Sequence, residues 1–221
     1  MAPIFRDRTD AGRVLATRLG AYADRADALV LGLPRGGVPV AREVARALRL
    51  RLDVFLVRKL GVPGHEELAM GAIASGGVRV LNTEVVANLR IPEAVIEEVA
   101  AAQTRELERR EHVYRGARPP TEVRGLGVIL VDDGMATGAT MRAAVAALRP
   151  RGPRRIVVAV PVAAEPTCRD LAEAVDEVVC AFTPDPFYAV GLWYVDFAET
   201  SDAEIARMLA ETGKGERALG E

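Results

Sequence analysis

Apolar runs alternate with segments of helical periodicity along most of the chain. Nearly unbroken apolar runs occupy residues 28–33, 52–57, 127–132, 155–162 and 177–182. A strand that is buried on both faces has no polar alternation, so these runs predict the strands of a parallel sheet. Helical spacing separates most of them, and this order is typical of an α/β fold with helices on both faces of a central sheet.

The remaining pattern predicts helices and one irregular region. Helices are expected over residues 9–23, 36–50, 92–112, 140–150, 165–174 and 201–211. Residues 58–82 combine Gly and Pro with short strand-like pieces. The helix at 92–112 is strongly charged in its second half, so we expect it to project from the body of the protein.

Charge and hydropathy exclude several classes of function. The net charge is -2 and the pI about 5.9, which gives no electrostatic basis for binding nucleic acid or a membrane surface. No apolar run approaches the roughly 20 residues of a membrane span, and residues 1–10 are charged where a signal peptide would be apolar. We therefore expect a cytoplasmic protein.

The cysteines and histidines give no sign of a metal site. Cys168 and Cys180 are too few for a disulfide framework, and His65 and His112 lie far from them in the sequence. We interpret the cysteines as two buried thiols.

The segment VILVDDGMATGAT, residues 128–140, carries the main chemical signal. Asp132 and Asp133 fall at the carboxyl end of a predicted strand, and Thr137 to Thr140 begin a helix whose free N–H groups can bind an anion. This layout fits a ligand that has vicinal hydroxyls and a phosphate close to them, such as a ribose 5-phosphate. If the two acids are considered by themselves, the alternative interpretation is a solvated turn after the strand, with no ligand. The chain contains neither G-x-x-x-x-G-K-[ST] nor G-x-G-x-x-G, which argues against nucleotide hydrolases and dinucleotide enzymes.

The same segment resembles the phosphoribosyl-pyrophosphate (PRPP) signature of type I phosphoribosyltransferases at all 13 positions. The resemblance implies that Asp132 and Asp133 bind the ribose hydroxyls and hold Mg²⁺ through water. It also implies that the 5-phosphate is bound by Ala136, Thr137, Gly138, Ala139 and Thr140. PRPP synthetases and PRPP-sensing regulators share the signature, so it identifies the ligand more firmly than the reaction.

Two further segments fit the pyrophosphate of PRPP. In LPRGGVPV, residues 33–40, Arg35 offers a fork of donors while Gly36 and Gly37 allow close backbone approach. Related enzymes hold a cis peptide at the bond that corresponds to Pro34–Arg35. Arg58 and Lys59 resemble the Arg-Lys pair of adenine phosphoribosyltransferases, and Lys59 is one of two lysines among 29 basic residues. Arg35 and Lys59 are therefore also candidate catalytic residues.

A mobile loop closes over the substrate in the family, and residues 60–120 occupy its place here. We expect one or two of its charged groups at most to reach the ligand: His65, Glu66, Glu67, Arg109, Arg110 and Arg115. Ala136 stands where enzymes for 6-oxopurines carry an aspartate, which implies an adenine-like or non-standard acceptor. Glu67 is the candidate catalytic carboxylate.

Six of ten aromatic residues lie between 182 and 197. Aromatic residues usually pack a core, but this segment resembles the tail that stacks a purine in hypoxanthine-guanine enzymes. The resemblance implies base-binding roles for Phe187 and Trp193, although the spacing differs by inserted residues.

Together these features predict one type I phosphoribosyltransferase domain over residues 1–221. It has a hood from about 1–25 and 183–221 and a helical insertion at about 60–120. The implied reaction is magnesium-dependent transfer of the phosphoribosyl group of PRPP to a nucleobase, in nucleotide salvage and as a homodimer. A non-catalytic PRPP-binding regulator is the alternative. A hydrolase is disfavoured because the chain has no nucleophile elbow.

Overall fold

The computed structural model describes residues 3–217, except for the side chains of residues 67 and 212–217. The strands are β1 (Ala28–Gly32), β2 (Arg51–Val54), β3 (Val57–Val62), β4 (His65–Ala74), β5 (Val78–Leu81), β6 (Gly127–Val131), β7 (Arg155–Val162) and β8 (Glu177–Phe182). The helices are α1 (Arg8–Arg18), α2 (Gly37–Leu48), α3 (Thr83–Asn88), α4 (Glu93–Arg115), α5 (Ala139–Leu148), α6 (Glu165–Ala172) and α7 (Asp202–Arg217). Three short 3-10 turns cover Gly20–Tyr22, Arg149–Arg151 and Val190–Trp193.

The central sheet is parallel throughout and has the order β2-β1-β6-β7-β8. Every residue of β1 and β6 is buried, as the unbroken apolar runs predict. One face packs against α5 and α6, and the other against α1 and α2. The predicted parallel sheet with helices on both faces is confirmed. The carboxyl ends of β1 and β6 lie side by side, because Gly32 is in register with Val131.

The region after β2 forms a second, antiparallel sheet with the order β3-β4-β5. The expected strand at 52–57 is wrong in its second half, since β2 ends at Val54. The chain leaves the central sheet at Leu56, whose carbonyl accepts a 2.9 Å hydrogen bond from the backbone N–H of Ser75. Arg58 and Lys59 therefore lie inside β3, and they do not end a strand of the central sheet.

Helix α4 packs against the body and does not project from it as expected. Ile96, Ala100, Leu107 and Tyr114 are buried in one cluster with residues of β3, β4 and α7. The Tyr114 hydroxyl donates a 2.7 Å hydrogen bond to Asp202 on α7. About one apolar residue per turn is enough to bury one face of α4. The charged residues, which led us to expect that the helix projects, lie on its other faces.

A buried ion pair fixes the end of α4 to β2. The Arg115 Nε donates to the Asp53 Oδ1 at 3.0 Å, and the other carboxylate oxygen accepts the Thr121 hydroxyl at 2.8 Å. Both charged side chains are almost fully enclosed, at 4% and 11% exposure. Hydrogen bonds on both sides satisfy the pair, which a buried charge requires.

The predicted hood segments from both ends of the chain meet. The backbone N–H of Phe5 donates to the Trp193 carbonyl at 2.9 Å, and that of Val195 donates to the Phe5 carbonyl at 2.9 Å. The rings of Phe5 and Tyr194 lie 5.3 Å apart. Helix α7, further along, packs on α4 and β2.

Cys168 on α6 and Cys180 on β8 are joined as a disulfide, and both are half-buried. The expectation of two buried thiols is wrong. The sulfurs meet because α6 packs on the strand that directly follows it, 12 residues along the chain.

Across residues 3–217, no helix combines the length and the apolar character that are needed to cross a bilayer.

Candidate functional site

The two adjacent aspartates lie against the glycines of the neighbouring loop. Asp132 and Asp133 follow β6, and Gly36 and Gly37 follow β1 in the same edge of the central sheet. A Cβ atom on Gly36 would lie 1.9 Å from the Asp133 Oδ2, and one on Gly37 would lie 2.8 Å from the Asp132 Cα. A side chain at Gly37 would therefore clash with backbone atoms and one at Gly36 would displace the Asp133 carboxylate, so the loop backbone lies directly against the acid pair.

Arg8, the first residue of α1, holds Asp133. Its Nε donates to the Asp133 Oδ2 at 2.8 Å, with the side chains 12% and 14% exposed. Its Nη1 donates to the Ala198 carbonyl at 2.6 Å, and its guanidinium lies 4.0 Å from the centre of the Phe197 ring. The sequence gives no local signal for this role, since Arg8 is one of many arginines and lies 125 residues before Asp133 in the chain.

Burial dominates the acidity of both carboxyl groups. It raises the pKa of Asp132 well above the usual value, and the charge of Asp133 raises it further. Burial also raises the pKa of Asp133, although the hydrogen bond from Arg8 acts in the opposite direction. A ligand that donates hydrogen bonds to these carboxylates would favour their ionised forms.

The loop before α5 presents backbone N–H groups beside the acids. Gly138 has a φ of 69° and precedes the first residue of the helix, Ala139. The Thr167 hydroxyl donates to the Ala136 carbonyl at 2.6 Å, and the Arg142 Nη2 donates to the Thr137 carbonyl at 2.6 Å. These bonds hold the loop carbonyls in place, and the start of α5 supplies the N–H groups and the positive end of a helix dipole that can bind an anion.

The loop that carries Arg35 contains the predicted backbone feature. The Pro34–Arg35 peptide is cis, which confirms that expectation. Arg35 forms an ion pair with Glu199, and both side chains are well exposed, at 39% and 69%. An exposed carboxylate partner of this kind can be displaced by a more highly charged anion, because such pairs contribute about 0 to 1 kcal/mol.

Strand β3 and helix α4 line a cavity of about 550 Å³. Arg58, Lys59 and Glu66 supply its charged groups, and Thr140 connects it to the loop before α5. The Arg58 Nε donates to the Gln103 Oε1 of α4 at 2.5 Å. Glu67 lies in β4, but its side chain is outside the described part of the structure.

The aromatic tail is divided between core and surface. Trp193 is 4% exposed and packs with Phe5, Val162 and Tyr194. It has no free face on which a base can stack, so the expected stacking role of Trp193 is wrong in this structure. Phe187 is half-buried, 6.2 Å from the Trp193 ring, and keeps an accessible side. Among the described residues, the Trp193 Nε1 is a buried donor without a partner.

Tyr194 connects the aromatic tail to the acid pair. Its hydroxyl donates to the Asp133 carbonyl at 2.5 Å. Burial and the charge of Asp133 raise its pKa, so it stays a neutral donor. Sequence reasoning missed this contact, because an aromatic residue in an aromatic segment is expected to pack a core.

Comparison with known proteins gives consistent matches. The family model that describes the phosphoribosyl transferase domain matches residues 8–187 of this chain. Two Mycobacterium tuberculosis proteins, from strains H37Rv and CDC 1551, carry the provisional name phosphoribosyl transferase and are 48% identical over 206 residues. The crystal structure of TT1426 from Thermus thermophilus superposes with a TM-score of 0.84 at 45% identity and covers 96% of this chain and 99% of its own. The match to the M. tuberculosis proteins covers 93% of this chain but 46% of their length, so the chain spans about half of these curated relatives.

Proposed function

The chain belongs to the phosphoribosyl transferase domain family, and on that premise we propose that it transfers the 5-phosphoribosyl group of PRPP to a nucleobase-like acceptor. The observation that carries the proposal is the contact of Asp132 and Asp133 with Gly36 and Gly37, beside the start of α5. Three elements that suit ribose hydroxyls, pyrophosphate and 5-phosphate thus meet at one edge of the sheet. Ligands of open α/β sheets bind at this edge.

Each part of PRPP has a group of matching chemistry. Asp132 and Asp133 accept hydrogen bonds from the ribose hydroxyls, and such bonds to ionised groups contribute about 1.5 to 3 kcal/mol each. The backbone of residues 136–140 binds the 5-phosphate at the start of α5. Arg35 and Lys59, with the backbone of residues 36–37, bind the pyrophosphate.

The acid pair also suits Mg²⁺. Among the described residues, no group of three or more His, Cys, Asp or Glu side chains is arranged to hold a metal ion. Two carboxylates beside a ligand rich in oxygen fit magnesium, which keeps waters and substrate oxygens as ligands. Asp132 and Asp133 would hold it through water, and the bound ion would neutralise charge on the departing pyrophosphate.

In the reaction, a ring nitrogen of the acceptor forms a bond to the anomeric carbon while the bond to the pyrophosphate oxygen breaks. The acceptor loses a proton, and the pyrophosphate leaves as an anion. The protein contributes by orienting PRPP at fixed points and by placing Arg35 and Lys59 where negative charge develops. Catalysis requires these contacts to strengthen as the leaving group departs.

The acceptor binds on the side of the aromatic tail, where Phe187 keeps an accessible face. Ala136 cannot accept a proton, so a 6-oxopurine lacks the aspartate partner that enzymes for these purines carry at this position. We therefore expect an adenine-like or non-standard heterocycle. Glu67 is the candidate for proton transfer, and Glu67→Gln is expected to slow turnover more than it weakens PRPP binding.

A single assay tests the proposed function. Pyrophosphate release from magnesium-PRPP is measured across a panel of nucleobases and related heterocycles, with Asp132→Asn/Asp133→Asn as the inactive control. We expect release with at least one acceptor and little with hypoxanthine or guanine. Tight PRPP binding without release for any acceptor would instead favour the non-catalytic regulator, and efficient hypoxanthine conversion would overturn the acceptor assignment.

Assembly and location are part of the same proposal. We expect a homodimer that acts in nucleotide salvage in the cytoplasm. Light scattering of the purified protein measures the assembly, and a monomer at micromolar concentration would contradict it.

A further inference from the structure

The loop that precedes α5 rests on helix α6. The Thr167 hydroxyl donates to the Ala136 carbonyl at 2.6 Å, and the Thr167 side chain is buried. A Cβ atom on Gly138 would lie 2.6 Å from the Thr167 Cγ2, so the methyl group of this threonine lies against the loop two residues further on. One residue of α6 therefore makes both a polar and an apolar contact with the loop.

The hydrogen bond from Thr167 sets the direction of one N–H group in this loop. The peptide between Ala136 and Thr137 is trans, because both cis peptides of the described chain lie elsewhere. A trans peptide directs its carbonyl and its N–H to opposite sides. The carbonyl points at α6, and the Thr137 N–H therefore points away from it. Within the described part of the chain, no group accepts a hydrogen bond from this N–H, so it is open to a ligand.

Helix α6 is too short to hold its position by itself. It has eight residues, of which Thr167 and Leu171 are buried. An isolated helix of two turns is marginal in water, so its position depends on contacts with the rest of the protein. The disulfide between Cys168 and Cys180 supplies a covalent contact with β8, and it lies one residue from Thr167.

The other attachments of α6 lie before the helix begins. The backbone N–H of Ala164 donates to the Met135 carbonyl at 3.0 Å, and that of Met135 donates to the Val162 carbonyl at 2.9 Å. These bonds fix the chain that enters α6, but they do not fix the turn that carries Thr167. The orientation of this turn against the loop therefore depends on Leu171 and on the disulfide.

We propose that the Cys168–Cys180 disulfide regulates the 5-phosphate site through Thr167. In the oxidised protein α6 holds Thr167 against the loop, and reduction loosens the helix and weakens phosphate binding. The reductant is a dithiol: the S–S bond of the protein breaks, two cysteine thiols form, and the dithiol gives up two electrons and two protons as it becomes a disulfide. This inference rests on the proposed function and adds a regulation of the same site.

The disulfide is placed where a reductant can reach it. Cys168 and Cys180 are half-buried, and β8 is an edge strand of the central sheet. Attack by a thiolate requires access to one of the two sulfurs, which this position provides. In the cytoplasm, where the protein is proposed to act, disulfides are rare and mostly transient, and this suits a regulatory role.

Two variants provide matched controls for the loss of the Thr167 hydroxyl. Thr167→Ser keeps the hydroxyl and loses the methyl group. Thr17 on α1 is exposed, and its hydroxyl donates to the Val14 carbonyl at 2.7 Å. Thr17→Val therefore removes a hydrogen bond of the same kind at a place that has no contact with the loop.

The test is calorimetric titration of the full chain with ribose 5-phosphate, and separately with inorganic pyrophosphate and Mg²⁺. In the oxidised protein, we expect Thr167→Val to weaken ribose 5-phosphate binding about tenfold, because the Thr137 N–H is no longer held in direction. Thr167→Ser and Thr17→Val should stay within twofold. Pyrophosphate binding should stay within twofold in all three variants, and thermal melts confirm that they fold.

The same titrations after treatment with a small dithiol test the regulation. Reduction of the wild type should weaken ribose 5-phosphate binding about fivefold, and reoxidation should restore it. Cys168→Ser together with Cys180→Ser should bind like the reduced wild type and should not respond to the dithiol. Thr167→Val should lose less than a further twofold on reduction, because the residue that connects the disulfide to the loop is already missing.

Several outcomes would overturn the inference alone: wild-type affinity in Thr167→Val, no effect of reduction on the wild type, or an equal effect of reduction on both probes. A fivefold loss on reduction of Thr167→Val would also overturn it, because the disulfide would then act by another route. A wild-type protein that binds neither PRPP nor ribose 5-phosphate in either redox state would reject the proposed function as well. The wild-type titration thus separates the two failures.

Discussion

The β1–β6 edge of the central sheet and the insertion of β3, β4, β5 and α4 position their polar groups by different means. The edge acts through its backbone, with glycines pressed against two acids and N–H groups at a helix start. The insertion presents long side chains, Arg58 and Arg110, which hydrogen bonds to Gln103 and Glu106 of α4 hold in place. A site made from backbone can be recognised within a dozen residues, whereas one made from long side chains depends on tertiary packing.

The largest expected effect concerns the packing of the insertion. Leu107→Ala should lower the free energy of unfolding by about 3 kcal/mol, because it removes a buried side chain and leaves a cavity. Val113→Ala, at a 38% exposed position of the same helix, should change it by less than about 0.5 kcal/mol. Urea unfolding measures both. Equal small effects would mean that α4 projects after all.

The next effect concerns the backbone contact at the edge. Gly36→Ala should weaken magnesium-PRPP binding about 100-fold, or about 2.7 kcal/mol, because the new Cβ must displace the Asp133 carboxylate. Gly20→Ala is the control, since a Cβ there meets no atom within 4 Å. Calorimetry measures the affinity of both variants for magnesium-PRPP. Wild-type affinity in Gly36→Ala would show that the edge is not the ribose site.

A smaller loss follows from removing the charges alone. Asp132→Asn together with Asp133→Asn keeps the side-chain shape but loses the ionised acceptors. PRPP binding should weaken at least tenfold, about 1.4 kcal/mol. The same titration measures it, and unchanged affinity would refute the assignment of the acid pair.

The smallest expected effect concerns Arg8. Arg8→Gln should weaken PRPP binding about fivefold, roughly 1 kcal/mol, because Asp133 loses the group that orients it. Arg13→Gln on the same helix is a suitable control, since Arg13 is 53% exposed and pairs with Glu43. If both variants bind PRPP equally well, Arg8 has no part in orienting the acid pair.

The acid pair and the start of α5 were predictable because they are contiguous in sequence. Asp132, Asp133 and Gly138 fall within one segment of 13 residues, and the strand before them is uniformly apolar. The cis Pro34–Arg35 bond was also expected, from the family resemblance. In these segments the structure that the local sequence favours is also the structure that the whole fold requires.

The rest depended on contacts between distant residues. The packing of α4 was missed because its many charges obscured a narrow apolar stripe that includes Leu107. Trp193 was assigned to a ligand because sequence does not distinguish a buried indole from an exposed one. Arg8 and Tyr194 reach Asp133 across 125 and 61 residues, and no local pattern marks such partners.

The anchoring of Arg8 has a consequence for the order of events during synthesis. The guanidinium joins Asp133 to the carbonyl of Ala198, a residue 190 positions later in the chain than Arg8 itself. A nascent polypeptide therefore carries the whole of residues 128–140 well before the segment that fixes Arg8 has been made. The contacts of Arg8 can all form only after residue 198 has left the ribosome, because the bond to Ala198 closes a loop of 190 positions.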